Sequence, residues 1–141
     1  MAAFNKFNSL VENLAEQTHN LGAHTLKVAL SNSAPIATNT VLSDITQIAN
    51  GNGYTTGGST AAVVSSAQTS GTYKLVLSDV TFTASGGSIG PFQYVVLYND
   101  TATSPADALI GWYDYGAALT ITNGNSFTVD FDGSAGVLTI T

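Results

Sequence analysis

The stretch Phe92-Gln93-Tyr94-Val95-Val96-Leu97-Tyr98 carries apolar or aromatic residues on both phases of a two-residue repeat. A half-exposed strand alternates; a run that does not alternate reads as a strand covered on both faces. The chain must therefore supply packing on two sides of it. After the turn-rich segment NDTATSPAD, the run from Leu109 to Tyr115 is again dense in residues that suit a pleated surface, and Gly116 closes it. These two runs are expected to pair antiparallel at the centre of the fold.

The rest of the chain arranges itself around that pair. Phe4, Phe7, Leu10, Val11 and Leu14 recur at three- and four-residue spacing, with Asn5, Lys6, Asn8, Glu12 and Glu16 between them, which predicts an amphipathic helix over residues 3–18. Asn20 and Gly22 supply its stop. One reading packs this helix on the sheet; the other sends its phenylalanines to a neighbouring subunit. Residues 25–31 set Leu26, Val28 and Leu30 against Lys27 and Ala29, a strand with one wet face. Ser43 to Ile48 is expected to make a short helical turn, and the glycine-rich residues 51–58 no regular structure.

Residues 61–67 and 72–83 read as strands joined by a turn at Thr69-Ser70-Gly71. A bulge or bend at Ser78-Asp79 accounts for the change of phase from Tyr73, Leu75 and Leu77 to Val80 and Phe82. Pro91 is expected at a strand start. In the C-terminal third, a three-residue turn at Asn123-Gly124-Asn125, with Asn125 left-handed, would set Ile121 opposite Phe127 and Leu119 opposite Val129. Asp132 to Gly136 then turns the chain into a last strand over residues 137–141. The fold class is mainly β: an antiparallel β-sandwich or jelly-roll-like domain over residues 23–141, preceded by an N-terminal helical arm over residues 1–22, the whole forming one globular domain.

Composition excludes several functions. Three lysines, no arginine and nine carboxylates give a net charge of −6, too little clustered basic charge to neutralise phosphates, so no nucleic-acid partner is expected. Cysteine is absent, which removes disulfides, thiolate metal sites and thiol catalysis. No apolar run approaches the roughly 20 residues of a membrane-spanning helix, and the first residues lack the pattern of a signal peptide, so a soluble protein made in the cytoplasm, without a membrane partner, is expected.

Candidate chemistry is sparse. Residues 51–58 lack the lysine of a phosphate-binding loop. His19 and His24 stand in no nucleophile–base motif and are expected at the surface or at the helix end, with His19 favoured in its charged form by the helix C-terminus. Asp130-Phe131-Asp132-Gly133-Ser134 has too few oxygen ligands for a calcium loop, so no metal and no cofactor is expected. Asn99-Asp100-Thr101 fits the N-glycosylation pattern, and Asp79, Asp100, Asp107 and Asp114 are the carboxylates from which a glycan hydrolase would draw a pair. Catalysis is not expected. The candidate interface is apolar and aromatic: Phe4, Phe7 and Leu10 on the helix, with Tyr94, Trp112, Tyr113 and Tyr115 on the central strands. Alternation sets Tyr113 and Tyr115 on one face and Trp112 on the other.

The ordered segments KFNSLVENLAEQTHNLG, LKVALSNSAP, GNGYTTGG, SGTYKLVLSDVTFTA, GGSIGPFQYVVLYND and LIGWYDYG resemble a group of small virion-associated proteins of tailed bacteriophages, most like capsid decoration, or cement, proteins. The resemblance spans most of the chain, with IGPFQYVVLYND and LIGWYDYG its most distinctive pieces. It implies a non-enzymatic, β-rich structural protein on the capsid exterior of the virion, a homo-oligomer with a homotrimer favoured, whose partner is the major capsid protein. The alternative is a tail-fibre or receptor-binding module recognising host glycan or protein.

Overall fold

The computed structural model describes residues 2–141. It is mainly β, with antiparallel sheets and one short helix. In chain order the elements are β1 (Phe4–Lys6), α1 (Ser9–Ala15), β2 (Leu26–Ser31), a 3-10 turn (Leu42–Asp44), β3 (Ser59–Ala61), β4 (Val63–Thr69), β5 (Thr72–Leu77), β6 (Val80–Thr83), β7 (Ile89–Thr103), β8 (Ala106–Ile121), β9 (Ser126–Val129) and β10 (Leu138–Ile140). They form a five-stranded sheet ordered β1-β8-β7-β2-β3, a three-stranded sheet ordered β10-β5-β4, and the pair β6-β9.

The central pairing is the one expected. β7 and β8 run antiparallel, with Val95 opposite Tyr113 and Val96 opposite Trp112. Phe92, Val95, Val96, Leu97 and Tyr98 are all buried. Each face of the sheet has its own core. On one, Leu26, Val28, Leu30, Val95, Leu97, Ile110 and Tyr113 share a cluster with Leu75, Leu77, Val80, Phe82 and Val129 of the smaller sheets and with Phe131, two residues past β9. On the other, Ala29, Val96, Tyr98 and Leu109 pack with Phe7, Leu42, Ile45 and Trp112. The second cover is thus a loop and a 3-10 turn, not a further sheet. It also corrects the wet face expected for β2, since Ala29 and Ser31 are fully buried beneath it.

The glycine-rich loop is held against β2 by polar contacts. The Leu30 N–H has no partner in the short β2–β3 ladder and donates to Tyr54 Oη at 3.1 Å. Tyr54 Oη donates to Gln47 Oε1, which also accepts from the Gly57 N–H. Tyr98 Oη donates to the Gly57 carbonyl at 2.6 Å. Gly58 is required: its φ is +73°, and a Cβ would stand 1.7 Å from the Val28 carbonyl oxygen.

Three local expectations are corrected. The N-terminal helix covers only Ser9–Ala15, because residues 4–6 extend as β1 along β8, with Phe4 opposite Tyr113 and Lys6 opposite Gly111. Edge pairing satisfies backbone groups that a first helical turn would leave open. The phase change at Ser78-Asp79 marks a change of sheet: β5 pairs with β4 and β10, whereas β6 pairs with β9. Finally, Ile121 and Phe127 do not face each other across a hairpin. β8 stays with β7 as far as the Ile89–Ile121 pair, while β9 crosses to β6 and sets Phe127 opposite Phe82. The left-handed residue in that connection is Gly124, not Asn125.

Candidate functional site

The seven candidate interface residues are dispersed. Phe7, Leu10 and Tyr113 are buried, Phe7 completely. Phe7 packs on Trp112 with ring centroids 4.6 Å apart, and Phe4 meets Tyr113 edge-on at 5.6 Å. Gly111 makes room for the Phe4 ring, since a Cβ there would fall 2.2 Å from it. Tyr115 packs edge-on against Phe127 at 5.3 Å. Tyr94, Trp112, Tyr115 and Phe4 keep partial exposure. Tyr113 and Trp112 belong to different cores, so no single aromatic platform exists.

Part of the candidate surface does converge at the rim of the fold. A groove of about 700 Å³ runs between α1 and β10, floored by Phe4 and Lys6 of β1. Leu10, Val11, Leu14 and Ala15 form one wall and Leu138, Thr139 and Ile140 the other. Val11 is 59% exposed and Ile140 45%. β1 is an edge strand of the five-stranded sheet, and β10 pairs with β5 alone. The groove therefore lies where two sheet edges approach each other. Val11 belonged to the apolar stripe of the expected helix, but Ile140 is distant in sequence, and only folding brings the two together.

A polar cluster adjoins the groove. Asn99 is fully buried. Its Oδ1 accepts from the Thr101 and Ala102 N–H groups at 3.0 and 3.2 Å, fixing the amide so that Nδ2 faces inward. Nδ2 lies 3.0 Å from His19 Nδ1, 2.9 Å from His24 Nδ1 and 3.3 Å from the Thr18 carbonyl. Because Asn99 donates, both histidines accept at Nδ1 and carry their protons on Nε2. The cluster ties the α1–β2 connection to β7. It interrupts the β7–β8 ladder between Asn99 and Thr103, and only Ser104 and Pro105 separate the two strands.

The expectation for His19 changes. His19 is 5% exposed rather than at the surface, and burial lowers its pKa to about 4. The Leu109 carbonyl opposes the shift in part, although His19 Nε2 makes no full hydrogen bond, and His24 adds to the lowering. A helix C-terminus does not govern this residue. Asn99 is likewise closed to glycosylation in the folded chain, because both ends of its amide are engaged inside the protein.

The remaining candidates resolve into turns, backbone contacts and one ion pair. Asp132 Oδ1 accepts from the Ser134 and Ala135 N–H groups, both at 2.8 Å, and these bonds hold its carboxyl below the usual range. Asp114 accepts from Gln93 and the Gly116 N–H, Asp79 from the Phe131 N–H, and Asp100 pairs with Lys27 at 3.1 Å. Among the described residues no group of three or more His, Cys, Asp or Glu side chains is arranged to hold a metal ion. No helix among them is long and apolar enough to cross a membrane. Comparison with models of protein families, with curated proteins and with solved structures finds no match to this chain.

Proposed function

We propose that this protein is a non-enzymatic structural protein of a phage virion, which docks on the outside of the capsid and reinforces it. The observation that carries the reading is the apolar groove between α1 and β10, open at Val11 and Ile140 on an acidic chain with only three lysines. The resemblance of IGPFQYVVLYND and LIGWYDYG to virion-associated proteins supplies the setting, and the net charge of −6 suits a position away from the packaged genome. The groove takes an apolar segment of the major capsid protein. Repetition over a lattice lets a modest contact hold, because many weak attachments act together as avidity. Self-association as a trimer belongs to the same reading, and sedimentation velocity checks it.

The test begins with the purified parent particle, heads separated from tails by density and this protein quantified in each by mass spectrometry. Many copies on heads, in fixed ratio to the shell protein, are expected. Val11→Asp with Ile140→Asp should then abolish rebinding to stripped heads while leaving the folded state intact, since both side chains are exposed. A few copies confined to tails would replace the reading with that of a receptor-binding module. Absence from both fractions would overturn it.

A further inference from the structure

Three Asn-Gly dipeptides occur in the chain: Asn50-Gly51, Asn52-Gly53 and Asn123-Gly124. Asparagine before glycine is the pair most open to intramolecular attack, because no side chain shields the following amide nitrogen. The fold treats the three unequally. The Gly51 N–H donates to the Tyr54 carbonyl at 2.7 Å, and the Gly124 N–H to the Ala84 carbonyl at 2.8 Å. Side-chain engagement does not separate them: Asn50 Oδ1 accepts from the Thr56 N–H, Asn123 Oδ1 from the Gly86 N–H, and Asn52 Nδ2 donates to the Ser88 carbonyl. Gly53 differs. Its N–H has no hydrogen-bond partner among the described residues, and Asn52 and Gly53 are both exposed.

From this contrast we infer that Asn52-Gly53 is a self-modification site, at which the folded protein converts asparagine to aspartate or isoaspartate while Asn50 and Asn123 are protected. Hydroxide takes the Gly53 amide proton, and the nitrogen attacks Asn52 Cγ. The Cγ–Nδ2 bond breaks, ammonia leaves, and a five-membered succinimide remains. Water opens that ring at either carbonyl, giving aspartate or, when the backbone carbonyl is cleaved, isoaspartate. No oxidant, metal or enzyme is needed.

The product is not neutral for the structure. Asn52 Nδ2 donates to the Ser88 carbonyl at 3.1 Å, and the Asn52 carbonyl accepts from the Ser85 N–H at 2.9 Å. The amide also lies so close to Gly87 that a Cβ there would stand 2.7 Å from it. A carboxylate in that place has no donor for Ser88, adds a negative charge and faces a carbonyl oxygen instead. Conversion thus releases the segment 85–88 that leads into β7.

The experiment holds the folded full-length chain in mildly alkaline buffer and follows all three sites by peptide mapping with isoaspartate detection, beside a sample unfolded in urea. In the unfolded sample the three sites should convert at similar rates. In the folded sample Asn52 should convert while Asn50 and Asn123 do so about tenfold more slowly, because their hydrogen bonds must open first. Asn52→Gln should remove the early acidic species. Equal rates at the three sites in the folded protein, or an unchanged Asn52 there, would overturn the inference.

Discussion

Lowering the pH should cost this protein stability in a window set by His19. The imidazole is buried, accepts from Asn99 at Nδ1, and has its pKa lowered from 6.5 to about 4. In the unfolded chain it takes up a proton near 6.5; in the folded chain it does not until about 4. The unfolded state therefore binds more protons across this interval, and stability falls as pH falls through it. At about 1.4 kcal/mol per pH unit the full loss is about 3 kcal/mol, a large share of the 5–15 kcal/mol typical of a domain. The loss is absent above about pH 6.5 and complete below about pH 4. Asp44, Asp114 and Asp132 belong to a lower window: their carboxyls are held below the ordinary 3.8, so what they contribute is lost only as pH falls through those depressed values. Urea unfolding between pH 7 and pH 4 should show the midpoint fall by roughly 1–2 M at constant slope. His19→Gln, which cannot titrate, should flatten that dependence whatever its own stability. Parallel profiles for the two proteins would refute the argument.

Other substitutions test the packing. Asn99→Ala should destabilise by about 2–4 kcal/mol in urea unfolding, since it strands the Thr101 and Ala102 N–H groups together with the histidine acceptors. Asn99→Asp should move the acid transition toward higher stability at low pH, because a carboxylate accepts from a protonated imidazole. Gly58→Ala should cost more than about 3 kcal/mol or prevent folding, with its Cβ driven into the Val28 carbonyl, as thermal unfolding will show. Gly111→Ala should expel the Phe4 ring and loosen β1, read as faster amide exchange at Asn5 and Phe7, whose N–H groups face β8, with a smaller loss of global stability.

Period-two patterning carried the strands well, because it reports local geometry. Phe92 to Tyr98 showed no wet phase, and both of its faces are covered. The switch of phase at Ser78-Asp79 was visible too, but pattern alone does not distinguish a bulge from a strand leaving one sheet for another. The N-terminal stripe misled for a related reason. Phe4 and Phe7 fit helical spacing, yet Phe4 sits on an edge strand over Gly111, and Phe7 turns to the opposite face of the sheet from Leu10. The polar cluster was hidden because its members are 75 to 80 residues apart in sequence. Asn99 drew notice only as a glycosylation pattern.

By itself, then, the order of residues determined the class: β-branched and aromatic runs, glycine-rich turns and few charges leave an antiparallel β domain as the way to bury so much apolar surface. The sequence also determined the net charge of −6, since charge is a sum that folding does not change. Tertiary structure decided which strands share a sheet, that a loop covers the second face of β2, that His19 is buried neutral beside Asn99, and that Val11 and Ile140 border one groove. Each of these depends on contacts between distant segments, where burial and hydrogen-bond satisfaction select the partner and local propensity does not.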